Sequence, residues 1–198
     1  MGTKVKISAN FCVFNEEDFI YYSLKAIYPF VDKIVIAASD TSWKGNDFQI
    51  DRSLEIINTF PDVDGKIVLK LGSWKNATEH RNFLLNVSRT LGMDYFWVID
   101  SDEIYVKETV DKLKQAITQY PNVINFYCAW WTYWRSFYYR IEPPEISTFV
   151  IGKIVPSFRI INVRQPSSGK TMRVDTSLHH YSYAKRPERV KQKLRNII

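Results

Sequence analysis

The chain has 198 residues, of which 45% are apolar, and a formal net charge of +6. That is the size of one ordinary domain able to bury a core unaided, and two cysteines with no long apolar run exclude a disulfide-stapled scaffold and a membrane-spanning helix. The positive balance suits phosphate-bearing partners, such as a nucleotide, an anionic lipid or a nucleic acid, without choosing among them.

Residues 5–14 are mostly apolar and predict a first strand. Asn15 then reads as a helix cap, with Glu16, Glu17 and Asp18 in the first turn, where the helix dipole favours acids. Ile20, Leu24, Ile27 and Val31 follow at helical spacing. A second strand spans 33–38 and ends near Asp40. A loop follows, holding Gly45, Asn46 and Asp47. A short helix over 51–60 is stopped by Pro61, and 66–71 predicts a third strand. Asn76 with Glu79 resembles a capping box for a helix whose apolar stripe is His80, Leu84, Val87 and Leu91, with Gly92 at its end.

Residues 94–103, Asp-Tyr-Phe-Trp-Val-Ile-Asp-Ser-Asp-Glu, carry the most chemistry. An apolar run drives straight into Asp100, Asp102 and Glu103, as a buried strand ending in carboxylates would. Such acids repel one another unless they meet water, basic groups or a divalent cation, and their oxygens suit Mg²⁺ and Mn²⁺. Val106, Val110, Leu113 and Ile117 mark the next helix, and 123–131 a fifth strand. Beyond Trp134 four prolines break the pattern, which predicts two or three short strands (158–163 the best candidate) among long loops. Pro187 opens a final helix, strongly basic through Lys185, Arg186, Arg189, Lys191, Lys193 and Arg195. It stops on Ile197 and Ile198 without an ending signal, which implies that the natural chain continues or that this end packs on a partner. Cys12 and Cys128 sit in apolar runs and read as small buried thiols. Two cysteines and no secretory leader fit a reducing, cytoplasmic setting.

Alternating strands and helices predict a three-layer α/β/α domain with a mostly parallel central sheet. Ligands of such sheets bind beyond the carboxyl ends of the strands, so Asn15, Asp40, Trp74 and the Asp100–Glu103 cluster should share one edge. The ordered set Phe14-Asn15-Glu16-Glu17, Asp40, His80-Arg81-Asn82, Asp100-Ser101-Asp102-Glu103 and His179-His180-Tyr181-Ser182-Tyr183 resembles the family 2-like glycosyltransferases of the A-type (GT-A) fold. The resemblance is good over about residues 4–103 and looser beyond. It implies a single catalytic domain over 1–184, with a nucleotide-binding half at 1–103 and an acceptor half at 104–184, followed by the basic helix at 185–198.

The resemblance further implies that Glu16 or Glu17, with Asp40, lies near the ribose and base. Arg81 would place the nucleotide or its phosphates, and Asp100 would approach the ribose. Asp102 would ligate a metal bridging the diphosphate, joined by His179 or His180. Adjacent residues of an extended segment face opposite ways, so one histidine serves the metal, with His180 favoured. A mixed oxygen and imidazole set suits Mn²⁺ better than Mg²⁺. The implied activity is a metal-dependent, hexosyltransferase-like transfer of one sugar from a nucleoside-diphosphate donor, uridine-based by expectation, to an acceptor hydroxyl with inversion. The acceptor is a glycan, a lipid-linked carrier or another hydroxyl, and the basic helix offers a peripheral membrane contact. The family's Glu-Asp base pair is not evident; Glu142, Glu145 and Asp175 are the candidates for the general base. The processive enzymes' arginine- and tryptophan-containing motif is missing too, which favours single transfers. In the aromatic run 130–139, Trp134 and Tyr138 are candidates for acceptor contacts. Two competing readings are a nucleic-acid-binding module, suggested by charge and aromatics, and a catalytically silent protein of the same fold that only binds a sugar nucleotide.

Overall fold

A computed structural model of the chain describes residues 4–44 and 50–197. The loop expected around Gly45, Asn46 and Asp47 lies outside the described residues, as does the terminal Ile198. The strands are β1 (Ile7–Val13), β2 (Lys33–Ser39), β3 (Ile67–Gly72), β4 (Tyr95–Ile99), β5 (Glu103–Ile104), β6 (Asn125–Trp134), β7 (Glu145–Lys153), β8 (Ile160–Asn162), β9 (Gln165–Pro166) and β10 (Thr171–Tyr183). The helices are α1 (Ile20–Ile27), α2 (Ser53–Asn58), α3 (Ala77–Thr90), α4 (Lys107–Gln119) and α5 (Pro187–Ile197).

Eight strands form one mixed sheet in the order β3-β2-β1-β4-β7-β6-β10-β5. The first four named are mutually parallel, β7 runs antiparallel between β4 and β6, and β10 is parallel to β6. The carboxyl ends of β1, β2, β4, β6 and β10 therefore share one edge. Side-chain alternation splits the core in two. Phe11, Ile36, Trp97 and Ile99 pack beneath α1 and α4, while Val35, Phe96 and Val98 pack with Leu84 and Leu85 of α3. A buried polar triad ties α3 to the sheet: Asn10 and Ser8 hydrogen bond each other, and both bond Ser88 at 2.7–2.9 Å.

Two expectations are corrected. The acids 16–18 are not in the first turn of α1, which begins at Ile20 with Phe19 as an N-cap that makes no side-chain bond. They occupy the preceding turn, because Asn15 adopts a left-handed φ of 53° that Asn tolerates and redirects the chain. Past Trp134 the chain forms two long strands of the main sheet, β7 and β10, where short pieces were expected. Apolar residues are too sparse in β10 to show the strand period, since Val174 and Leu178 are set among Arg173, Asp175, Thr176 and Ser177. The candidate strand at 158–163 is β8, which pairs only with β9 in a hairpin off the sheet.

Candidate active site

The strand-terminal acids, the β1–α1 turn and the start of α5 converge at the shared sheet edge. Asp100 follows β4, where Arg81 of α3 donates to it at 2.7 Å and Arg164 at 3.0 Å. Arg164 also grips Glu103 with both terminal nitrogens, and its remaining donors go to the carbonyls of Val98 and Phe149. Burial raises Asp100, but Arg81 and Arg164 outweigh it and hold the carboxyl well below its usual range. Glu103 is fully buried, and there burial wins over Arg164, so its pKa is raised. The β8–β9 turn that delivers Arg164 is strained: Val163, a β-branched residue, sits at φ 33° and donates its N–H to Thr78 at 2.9 Å.

Asp102 is 2% exposed. One of its oxygens lies 3.5 Å from His180 Nε2, the other 3.8 Å from Lys185 Nζ. Burial lowers the His180 pKa, but the hydrogen bond and charge of Asp102 raise it overall. His180 stacks on Trp130 with ring centroids 4.5 Å apart, and its Nδ1 is buried without a partner among the described residues. The Lys185 ammonium is 2.8 Å from Glu16, over the Phe19 ring. Arg189, in the first turn of α5, donates to Asp18, to Asp51 and to the Asn15 carbonyl. Asn15, Asp40 and Asp51 line a neighbouring cleft of about 150 Å³ between the ends of β1, β2 and β3. Burial raises Asp51, but hydrogen bonds from Ser53, the Glu17 N–H and Arg189 hold it low.

Of the residues singled out from the sequence, Glu16, Arg81, Asp100, Asp102 and His180 meet in this charge network, and Asp40 sits on the cleft with Ser73 on its carboxylate at 2.8 Å. Glu17 caps the backbone N–H of Arg52 instead. His179 turns to the Tyr133 hydroxyl at 2.8 Å. Trp74 is buried and stacked on His80. Glu145 opens β7 on the site's edge and accepts from Thr132 at 3.0 Å. Glu142 pairs with Arg140 in the β6–β7 loop. Asp175 lies apart, in a cavity under α4 with Glu108, Lys112 and His179. Trp134 is half-exposed against Tyr183, and Tyr138 is 91% exposed. Sequence reasoning missed Arg164, Lys185, Arg189 and Asp51. Arg164 carries no local signal, and the two cations of the tail read only as part of a basic helix offering a membrane contact.

No protein-family model matches the chain, and no curated protein sequence does. Solved structures do. The mannosyltransferase PcManGT from Pyrobaculum calidifontis, in complex with GDP-Man and Mn²⁺, superposes with a TM-score of 0.59 at 14% identity, over 98% of this chain and 61% of that one. S. aureus TarS 1–349 gives 0.53 at 15% identity, over 90% and 61%. The 4-diphosphocytidyl-2C-methyl-D-erythritol synthase of Anaerococcus prevotii gives 0.53 at 11%, over 98% and 96%. The chain thus spans less than two thirds of PcManGT and of TarS 1–349. Among the described residues no helix is long and apolar enough to cross a membrane. A mostly parallel sheet, an acid cluster after β4 and these superpositions lead to one conclusion: the chain has the GT-A-like fold of the nucleotide-diphospho-sugar transferases.

Proposed function

We propose that the protein transfers a single sugar from a nucleoside-diphosphate donor to an acceptor hydroxyl, with a divalent cation bound at Asp102. The observation that carries this reading is the charge balance of the site. Four carboxylates (Glu16, Asp100, Asp102, Glu103) face three basic side chains (Arg81, Arg164, Lys185) and His180. The cluster is neutral to within one charge. The diphosphate of a sugar nucleotide adds two negative charges, and in a buried site these need a partner of equal charge.

Asp102 and His180 fit that partner in kind. They supply a carboxylate oxygen and an imidazole nitrogen, and cations on nucleotides take only one or two protein carboxylates beside phosphate oxygens. The orphaned Nδ1 of His180 carries the proton if Nε2 faces the ion. When bound, the ion would stabilise negative charge developing on the departing diphosphate.

The chain's own residues do the rest. The nucleoside lies in the cleft between Asn15, Asp40 and Asp51, with the diphosphate directed past Glu16 toward Asp102. Arg81 and Arg164 fix Asp100 at the ribose side. Glu145 is the candidate base. It stands on the same edge, and Thr132 is its one side-chain hydrogen-bond partner among the described residues. It would take the acceptor's proton as the hydroxyl attacks the anomeric carbon from the face opposite the diphosphate, which inverts that centre. Nucleotidyl transfer on the same fold is disfavoured, because the turn after β1 carries no glycine whose backbone could cradle a triphosphate.

The test is thermal unfolding with UDP, GDP, CDP or ADP, with and without Mn²⁺. At a hundred times its dissociation constant a nucleotide adds about 2.7 kcal/mol of stability, which raises the midpoint by roughly 5–10 °C. Asp102→Asn should remove the Mn²⁺-dependent part of that rise. No rise with any of the four, metal present, refutes the reading.

A further inference from the structure

The site holds a cation that the metal does not account for. Lys185 is delivered by the chain as it leaves β10, where the Ala184 N–H bonds the Tyr181 carbonyl. Its side chain is 3% exposed, unusual for a lysine. An ammonium has three N–H donors. Among the described residues one reaches Glu16 at 2.8 Å, and the next acceptor, Asp102, is beyond hydrogen-bond range at 3.8 Å. Arg164 and Arg189, by contrast, spend their donors on carboxylates and backbone carbonyls. Lys185 is thus desolvated and held in place, with donors to spare.

Its position says what they are for. Glu16 follows Asn15, which lines the nucleoside cleft, and the Lys185 ammonium is within 4 Å of both Glu16 and Asp102. It therefore neighbours both the residue next to the cleft and the proposed metal carboxylate, which a diphosphate would have to span. We infer that Lys185 binds an oxygen of the donor's diphosphate and shares with the cation the charge that grows on it as the sugar leaves. The segment entering α5 is then part of the active site. This rests on the nucleotide-sugar reading and adds to it a specific phosphate-binding residue.

The experiment is calorimetric titration of wild type, Lys185→Met and Lys185→Arg. The probes are whichever of UDP, GDP, CDP and ADP binds wild type best, and its nucleoside, each in Mn²⁺ and in EDTA. Lys185→Met should weaken the diphosphate at least tenfold in both media and leave nucleoside affinity within twofold, and Lys185→Arg should recover most of the loss. Equal weakening of nucleoside and diphosphate, or no change in either, overturns the inference while leaving the nucleotide site standing. Absence of binding to wild type, metal present, refutes the underlying reading instead. If the methionine variant does not fold, Lys185→Gln, which keeps a donor for Glu16, takes its place with the same expected outcomes.

Discussion

Replacing Arg164 by methionine tests whether the acid cluster is held together as described. Glu103 is fully buried, and Arg164 meets it with two nitrogens from a side chain 10% exposed. Without Arg164, Glu103 keeps, among the described residues, only the Asp100 N–H at 3.2 Å and the Tyr105 hydroxyl at 3.4 Å as hydrogen-bond donors. Breaking a buried pair from one side costs about 3–5 kcal/mol, because an uncompensated charge stays behind. That is a large share of the 5–15 kcal/mol typical of a native domain. For a chain of this length it lowers the melting temperature by about 6–20 °C. The sign with pH follows from Glu103. Its folded pKa is already raised, and losing Arg164 raises it further, so the folded variant binds a proton more readily than the unfolded chain. The penalty should therefore be largest at neutral pH and shrink as acid protonates Glu103. Adding Glu103→Gln should restore most of the loss at pH 7. Urea unfolding at several pH values decides the matter. A loss below 1 kcal/mol at pH 7 with unchanged slope, or a double variant no better than the single one, refutes the reasoning.

Two further predictions concern the frame. His80 is fully buried, stacked on Trp74, accepting from the Trp43 indole at Nδ1 and bonded to the Ala37 carbonyl through Nε2. Burial, with the Arg81 charge, lowers its pKa to about 4 against the pull of Ala37. The stability its neutral ring contributes should be fully present above pH 6.5 and lost as pH falls toward 4; an NMR titration placing the ring near 6.5 contradicts this packing. Gly152, next to the end of β7, faces the Phe158 ring so closely that an added methyl overlaps it. Gly152→Ala should cost about 1–3 kcal/mol, and an unchanged melting temperature would show that the ring has room to move.

Much of the first half was legible locally. The runs ending at Asn15, Asp40 and Asp100 are strands because continuous apolar residues have nowhere to go but a sheet covered on both faces. Asn76 caps its helix as the spacing implies, bonding the Glu79 N–H at 2.9 Å. The sequence placed Arg81, Asp100, Asp102 and His180 near one another only through the family resemblance; in the structure Arg81 of α3 pairs with Asp100, and His180 of β10 lies 3.5 Å from Asp102. What the sequence could not show is what arrives there from far along the chain. Arg164 reaches Glu103 across 61 positions and Lys185 reaches Glu16 across 169, distances over which composition and periodicity carry no information. The insertion of β7 between β4 and β6, and the length of β10, likewise depend on which neighbours complete their hydrogen bonds. Local residue choice determined the strands, the helices and the acids at the rim. The tertiary structure alone decided which charges those acids meet, because the partner of a buried carboxylate is selected by three-dimensional proximity and its desolvation cost.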